Sequence, residues 1–226
     1  MKEIYNFEKQ RTKMVEKQIL RRGIRDPRLL EAMRTVPRHL FVPPEIRNWA
    51  YVDGAQRIGK GQTISQPYIV ALMTENLRLD GDEVVLEVGT GSGYQAAILS
   101  LLAKEVHSIE RHPELAEEAR TLLSSLGYTN VHVHSGDGTL GYPEKAPYQG
   151  ILVTAAAPEV PKSLLNQLDE GGRLVIPVGK KYTQVLQTWQ RRGRKFDHET
   201  ITAVAFVPLI GDEGWDEEGW DRFRLW

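Results

Sequence analysis

Val84-Val85-Leu86-Glu87-Val88-Gly89-Thr90-Gly91-Ser92-Gly93-Tyr94 sets the terms for the rest of the chain. An apolar run carrying one acid breaks into glycines spaced G-x-G-x-G and then into a helical pattern. That order reads as a buried strand, a tight turn and a helix start. Glycine takes positive φ readily and has no Cβ, so such a turn can lie close against a ligand; a ligand-free turn of an α/β protein is the bland alternative. A dinucleotide fingerprint is G-x-G-x-x-G, with its third glycine packing helix on strand. Here Tyr94 stands where that glycine belongs.

Downstream, the apolar pattern predicts strands near 84–89, 106–110, 131–135, 150–155 and 173–178, with helices near 93–103, 113–126 and 160–168. Strand and helix in alternation imply a mostly parallel sheet covered on both faces. Two more strand-like runs, 184–190 and 201–207, are joined across the basic stretch Arg191-Arg192-Gly193-Arg194-Lys195, which reads as an antiparallel hairpin turn. Upstream, residues 8–33 look helical, interrupted by Gly23 and by Asp26-Pro27, a helix start. Residues 51–66 carry Gly, Gln and Asp with little periodicity and read as one long loop, a kind of segment that often holds function. Ser65-Gln66-Pro67 then opens a helix running to about Leu77.

Composition narrows the classes. With 226 residues and 41% apolar content the chain can build one substantial core. A net charge of -1 gives no bulk attraction to nucleic acid. There is no cysteine, which excludes disulfides, thiolate catalysis and Cys-based zinc sites. A charged N-terminus and the lack of a long apolar run lead us to expect a cytoplasmic protein with no membrane partner. His107, His132 and His134 fall on strands, the last two on one face, and no third ligand points to a metal.

Two further acids bear on the glycine turn. Glu110 ends the second core strand, where a carboxylate can bind a ribose diol; Gly136-Asp137-Gly138 follows the third, where Asp137 could accept from an adenine amine. Each has a plain alternative, a surface charge and a turn pair. Lying together at the carboxyl edge of adjacent strands, the three features favour an adenosine-containing cofactor without a pyrophosphate. On these residues the segment 84–138 resembles S-adenosylmethionine-dependent methyltransferases. In them the acid matching Glu87 lies near the cofactor's amino-acid end; the alternative is a buried carboxylate satisfied by amides of the turn.

Other stretches point to one group within that class. They are Asp53-Gly54-Ala55-Gln56, Ile58-Gly59-Lys60-Gly61-Gln62-Thr63-Ile64-Ser65-Gln66-Pro67, Thr154-Ala155-Ala156-Ala157-Pro158, the run Gly171 to Gly179, and Val207-Pro208-Leu209. With these the chain resembles the protein-L-isoaspartate O-methyltransferases over roughly residues 10 to 212, most specifically from Gly59 to Pro67. The resemblance implies an α/β protein with a doubly wound, mostly parallel seven-stranded sheet (the Rossmann-like methyltransferase fold), an N-terminal helical cap and a C-terminal antiparallel hairpin. The implied single domain divides into N-terminal helices and substrate loop (1–80), cofactor-binding core (81–180), hairpin (181–210) and an acidic, tryptophan-containing tail (211–226).

It also implies methyl transfer from S-adenosyl-L-methionine, leaving S-adenosyl-L-homocysteine, to the α-carboxylate of L-isoaspartyl residues in damaged proteins and peptides, by a monomer. Cofactor contacts are implied for Gln62, Thr63, Ile64, Glu87, Gly89, Thr90, Gly91, Ser92, Gly93, Glu110, Arg111, Asp137 and Gly138. Substrate contacts are implied for Ile58, Ser65, Ala156, Ala157 and Pro158, with Ser65 the catalytic residue. Two roles stand open for Ser65, orienting the substrate carboxylate or capping the next helix. The small side chains and free backbone expected at 155–158 suit an extended peptide better than a planar base. The reaction itself needs no general base, because a carboxylate with an ordinary pKa of about 3.3–3.9 is already ionised at neutral pH. Ile210 follows the Pro-Leu pair where some relatives carry a hydroxyl, so any cofactor contact there is left to backbone.

Overall fold

A computed structural model describes residues 6–216. Helix α1 (Phe7–Met14) is capped by the Asn6 side chain and runs on through a π-helical turn (Val15–Ile19) and a 3-10 turn to Arg22. Gly23, at φ 99°, ends it. Helix α2 (Pro27–Thr35) starts where Asp26 accepts from the amides of Arg28 and Leu29, as the Asp-Pro pair suggested. After α3 (Pro67–Leu77) the alternation is β3 (Val84–Val88), α4 (Tyr94–Ser100), β4 (Glu105–Glu110), α5 (Pro113–Ser125), β5 (Val131–Ser135), β6 (Tyr148–Val153), α6 (Lys162–Asn166) and β7 (Leu168–Lys180). Strands β8 (Thr183–Arg192) and β9 (Lys195–Val204) complete a seven-stranded sheet of order β5-β4-β3-β6-β7-β8-β9. The first five of these strands pair in parallel, and β7-β8-β9 pair antiparallel.

Alternate strand residues feed two cores. Val85, Val106, Leu152, Val175 and Leu186 pack with the N-terminal helices and with α3 to α5. Leu86, Val88, Ile109, Ile151 and Ile176 pack on the other face with Leu164 of α6 and Leu209. Among the described residues no helix is long and apolar enough to cross a membrane.

Three segments differ from the expectation. The loop predicted over 51–66 contains a separate two-stranded sheet, β1 (Gln56–Gly59) and β2 (Gln62–Ile64). Its strands are too short for a periodic signal, and its tip, Gly59-Lys60-Gly61, lies wholly at positive φ. Strand β9 starts at Lys195, six residues before the predicted 201, leaving a two-residue turn. Its outer face is charged and exposed, so Lys195 to Glu199 do not look like a strand. Strand β7 starts at Leu168 because a register shift after Tyr148 accommodates Gly171 and Gly172. A Cβ on Gly172 would lie 2.9 Å from the Tyr148 carbonyl oxygen.

Candidate cofactor and acceptor site

The glycine turn leaves β3 at the carboxyl edge of the sheet. Gly89, Gly91 and Gly93 have φ of 96°, 51° and 86°, a region side chains avoid. The amides of Gly89 and Thr90 both donate to the Ile109 carbonyl, at 2.8 and 3.2 Å, clamping the turn to β4. Thr154, at the end of β6, donates to the Gly89 carbonyl at 2.7 Å. The third glycine also lets α5 close in: a Cβ on Gly93 would lie 3.1 Å from Leu123 Cδ1.

A cleft opens over this turn, walled by Val88, Ile109, Gly138, Ala155 and the segment Val207–Ile210, and bordered by Gln62, Thr63, Glu110 and Arg111. Glu110 is nearly buried, and its carboxylate accepts from the amides of Gly91 at 2.9 Å and His112 at 3.0 Å. An adenosine fits this chemistry: apolar walls, a carboxylate at the rim and, among the described residues, Arg111 as the only cationic side chain lining the cleft, too few for a pyrophosphate. Thr63, Ile64, Ser65, Thr90, Ser92, Tyr94 and Gln95 line the continuation of the cleft past the turn. On the far side of the β1–β2 sheet a larger cleft of about 490 Å³ is lined by Ala55, Thr63, Ser65, Gln66, Ile69 and Ala203–Phe206. Thr63 touches all three spaces, and Ser65 the last two.

Ser65 does not cap α3. The capping position is Gln66, with no side-chain cap bond, and the helix opens on Pro67, which has no amide hydrogen to satisfy. Among the described residues the Ser65 hydroxyl has no partner, while its carbonyl accepts from Arg38 Nη2 at 2.7 Å. Gln66 instead donates to Asp53 at 2.7 Å, and Asp53 pairs with Arg22, so the stretch 53–56 anchors the acceptor side of the loop.

Glu87 is fully buried and lines neither cleft. Turn amides do not satisfy it, contrary to the plain alternative: Ser108 donates to its Oε2, Thr90 hydrogen-bonds Ser108 at 2.6 Å, and Oε1 has no partner. Burial pushes its pKa up to about 8, against the donation from Ser108 and with help from the Glu110 charge.

Five expected contact residues fall elsewhere. Asp137 lies behind the cleft wall, not on it. Its Oδ1 accepts from the Thr139 amide at 2.8 Å and the Thr139 hydroxyl at 2.7 Å, and its Oδ2 from the Asp212 amide at 2.8 Å. Ala156 and Ala157 are fully buried, and their backbone is not free: Ala156 exchanges bonds with Val207 and Leu209, and Ala157 with Pro177 and Gly179, all between 2.8 and 3.0 Å. With Pro158 they lie outside the acceptor cleft, whose wall is Ala203–Phe206 at the end of β9, a segment sequence reasoning missed. Ile58 lies over Gly91 in a groove with Phe41, Pro43, Leu115 and Leu122, on the outer side of the glycine turn.

The start of the tail has a definite place. Glu213 accepts from the Ser163 amide and hydroxyl at 2.9 and 2.7 Å, its own amide donates to Thr139, and the Trp215 amide donates to the Leu209 carbonyl. Those amide and hydroxyl donors hold the Glu213 carboxyl below its ordinary pKa. Residues 209–215 therefore clasp the wall that Leu209 and Ile210 give the cleft. Trp220 and Trp226 lie outside the described residues. His107 stacks between His132 and His134 at 5.2 and 5.4 Å, and among the described residues no group of three acids or histidines could hold a metal.

The family model described as protein-L-isoaspartate(D-aspartate) O-methyltransferase matches residues 9–214. Protein-L-isoaspartate O-methyltransferase 1 of Syntrophobacter fumaroxidans is 54% identical over 211 residues, covering 93% of this chain and 99% of that protein. The protein-L-isoaspartate O-methyltransferase of a Synechococcus species is 62% identical over 211 residues, covering 90% and 86%. A Plasmodium falciparum structure assigned to the same enzyme, in complex with S-adenosyl-L-homocysteine, superposes with a TM-score of 0.76 at 25% identity, covering 88% of this chain and 98% of the other. A match across nearly the whole described chain, joined to identity above half, places this protein in the protein-L-isoaspartate(D-aspartate) O-methyltransferase family.

Proposed function

We propose that this chain transfers the methyl group of S-adenosylmethionine to the α-carboxylate of L-isoaspartyl residues in damaged proteins and peptides. The observation that carries this reading is the meeting of two clefts at Thr63 and Ser65, one shaped for an adenosine and one of about 490 Å³ open to a larger acceptor. Bound in the first cleft, the cofactor supplies an electrophilic methyl group. Gly89 to Gly93 and Gly138 give it close backbone approach, Glu110 and Arg111 border its polar end, and Gln62, Thr63 and Ile64 cover it.

The acceptor is an ionised carboxylate, so no side chain needs to remove a proton. Among the described residues the acceptor-cleft lining includes no His, Lys, Asp or Glu that could do so. The unpaired Ser65 hydroxyl donates to one carboxylate oxygen and turns the other toward the cofactor. In-line placement and exclusion of water are then the main contributions, because the two opposite charges cancel as the bond forms. Methoxide is a better leaving group than the oxide of a carboxylate, so the neighbouring backbone amide nitrogen attacks the ester carbonyl, methanol departs with the amide proton, the succinimide closes without further help and repair begins. The near-neutral charge supports protein rather than nucleic-acid substrates, and the chain works as one domain and one protomer.

Methyl transfer to an isoaspartyl peptide and to its aspartyl twin tests the reading. Transfer to the first alone is expected; equal or absent transfer overturns it. Ser65→Ala is expected to lower turnover about 10- to 100-fold, the worth of one hydrogen bond to a charged group, with the cofactor KM and the melting temperature unchanged. Asp137→Asn keeps the shape of the clasp, but its amide cannot accept from both Thr139 and Asp212. Cofactor affinity, read by calorimetry with S-adenosylhomocysteine, is expected to drop about fivefold with kcat unaltered.

A further inference from the structure

Arg38 is a fully buried cation with no counter-ion among the described residues. It follows Pro37 in a short 3-10 turn and is 0% exposed. Its Nε donates to the Ala50 carbonyl and its Nη2 to the Ser65 carbonyl, both at 2.7 Å. Its guanidinium lies 4.7 Å from the centroid of the Tyr94 ring, and Nη1 is buried without a partner. Among the described residues no carboxylate bonds it. The nearest acidic groups are phenols, and burial pushes the Tyr94 hydroxyl up to about 12, so it stays neutral.

An unpaired buried charge costs several kcal/mol, and guanidinium does not shed its proton to avoid that cost. Carbonyls and a ring face offset part of the penalty. The remainder is relieved when an anion arrives nearby. Arg38 is bonded to the backbone of Ser65, which lines both the acceptor cleft and the continuation of the cofactor cleft, and it stacks on Tyr94, which lines the space next to Ser65.

We propose that Arg38 is a positioning residue of the acceptor site with two separable effects. Its hydrogen bonds hold the Ala50 to Ser65 segment so that the Ser65 hydroxyl faces the cleft. Its buried charge favours an ionised acceptor carboxylate over a neutral group of the same shape. The proposal rests on the isoaspartyl reading above. Because positive charge stabilises the carboxylate more before transfer than after its charge is cancelled, the charge tightens acceptor binding and does not speed transfer.

The test is calorimetric, on the complex with S-adenosylhomocysteine, comparing an isoaspartyl peptide with its isoasparaginyl analogue. If the unaltered protein methylates no isoaspartyl peptide, the functional reading has failed and not this one. If it does, the carboxylate is expected to bind at least about tenfold more tightly than the amide. That ratio should hold from about 20 to about 500 mM salt, since a buried charge is poorly screened. Arg38→Met should bring the ratio close to one. Arg38→Lys should keep it within about threefold while turnover falls, because one ammonium on a flexible stem cannot reproduce both carbonyl bonds. A full preference retained by Arg38→Met overturns the proposal. So does a preference in the unaltered protein that collapses with salt, which would assign it to the exposed Arg57 and Lys60. Should Arg38→Met fail to fold, the salt series on the unaltered protein decides.

Discussion

Gly89→Ala is expected to weaken S-adenosylhomocysteine binding about 30- to 150-fold while leaving the fold in place. At φ 96° an alanine is strained by about 1–2 kcal/mol. The added Cβ would also overlap Thr154 Oγ1, the atom that donates to Gly89 and Val88. Turning Thr154 away removes the one hydrogen bond its hydroxyl proton makes, shared between the two carbonyls and worth about 1 kcal/mol. The sum, about 2–3 kcal/mol, can instead be relieved by rebuilding the turn, and the turn is the floor of the cofactor cleft. Calorimetry measures the loss, and an unchanged far-UV circular dichroism spectrum separates it from unfolding. Gly89→Ala combined with Thr154→Ala removes the overlap but not the strain, so it should regain about tenfold in affinity, a coupling that an unrelated defect would not show. An affinity within threefold of the unaltered protein refutes the close approach at this position.

Glu87→Gln should make the protein more stable at pH 8–9 than it is now, and within about 1 kcal/mol of it at pH 5. The folded carboxyl has its pKa raised from 4.5 to about 8, chiefly by burial. Below 4.5 it is protonated in the folded and the unfolded chain alike, and its contribution is fully present. Between 4.5 and 8 the unfolded chain releases a proton that the folded one keeps, so stability falls by about 1.4 kcal/mol per pH unit. Over the whole window the loss is on the order of 5 kcal/mol. Glutamine is neutral throughout and still accepts from Ser108, so its stability curve lacks that slope. Urea unfolding at pH 5, 7 and 9 gives the comparison, and parallel curves for the two proteins would contradict a neutral Glu87.

Much of this was legible because it is local chemistry. Three glycines after an apolar strand can serve only a tight turn, and all three take positive φ. Asp26-Pro27 carries both a cap acceptor and a residue without an amide hydrogen, so α2 begins there and nowhere else. The seven-strand alternation followed from which residues are apolar, and the sheet reproduces it with a longer β7 and an earlier β9.

The site was read less evenly. Glu110, Gly89 and Gly91 line the clefts as the motif spacing suggested, and Thr63 and Ser65 as the family resemblance implied, while Gly93 serves helix packing. Asp137 is turned to Thr139 and Asp212, and the backbone of Ala156 and Ala157 is taken up by Val207, Leu209, Pro177 and Gly179. Nothing in the composition of 155–158 could show that, since an alanine looks the same whether its amide is free or bonded to a strand fifty residues away. Arg38 went unread for a related reason: in a sequence an arginine beside prolines looks like surface, and its burial exists only where Ala50, Ser65 and Tyr94 close around it.

Residue order therefore settled the strand–turn–helix frame, because propensity, φ preference and spacing are properties of neighbouring residues, and its motifs carried the resemblance that implied the cofactor class and the family. Which backbone groups stay free for an acceptor, and which charges are buried without a partner, depended on segments far apart in sequence. Those follow from hydrogen bonding and desolvation, which exist only once the segments have packed.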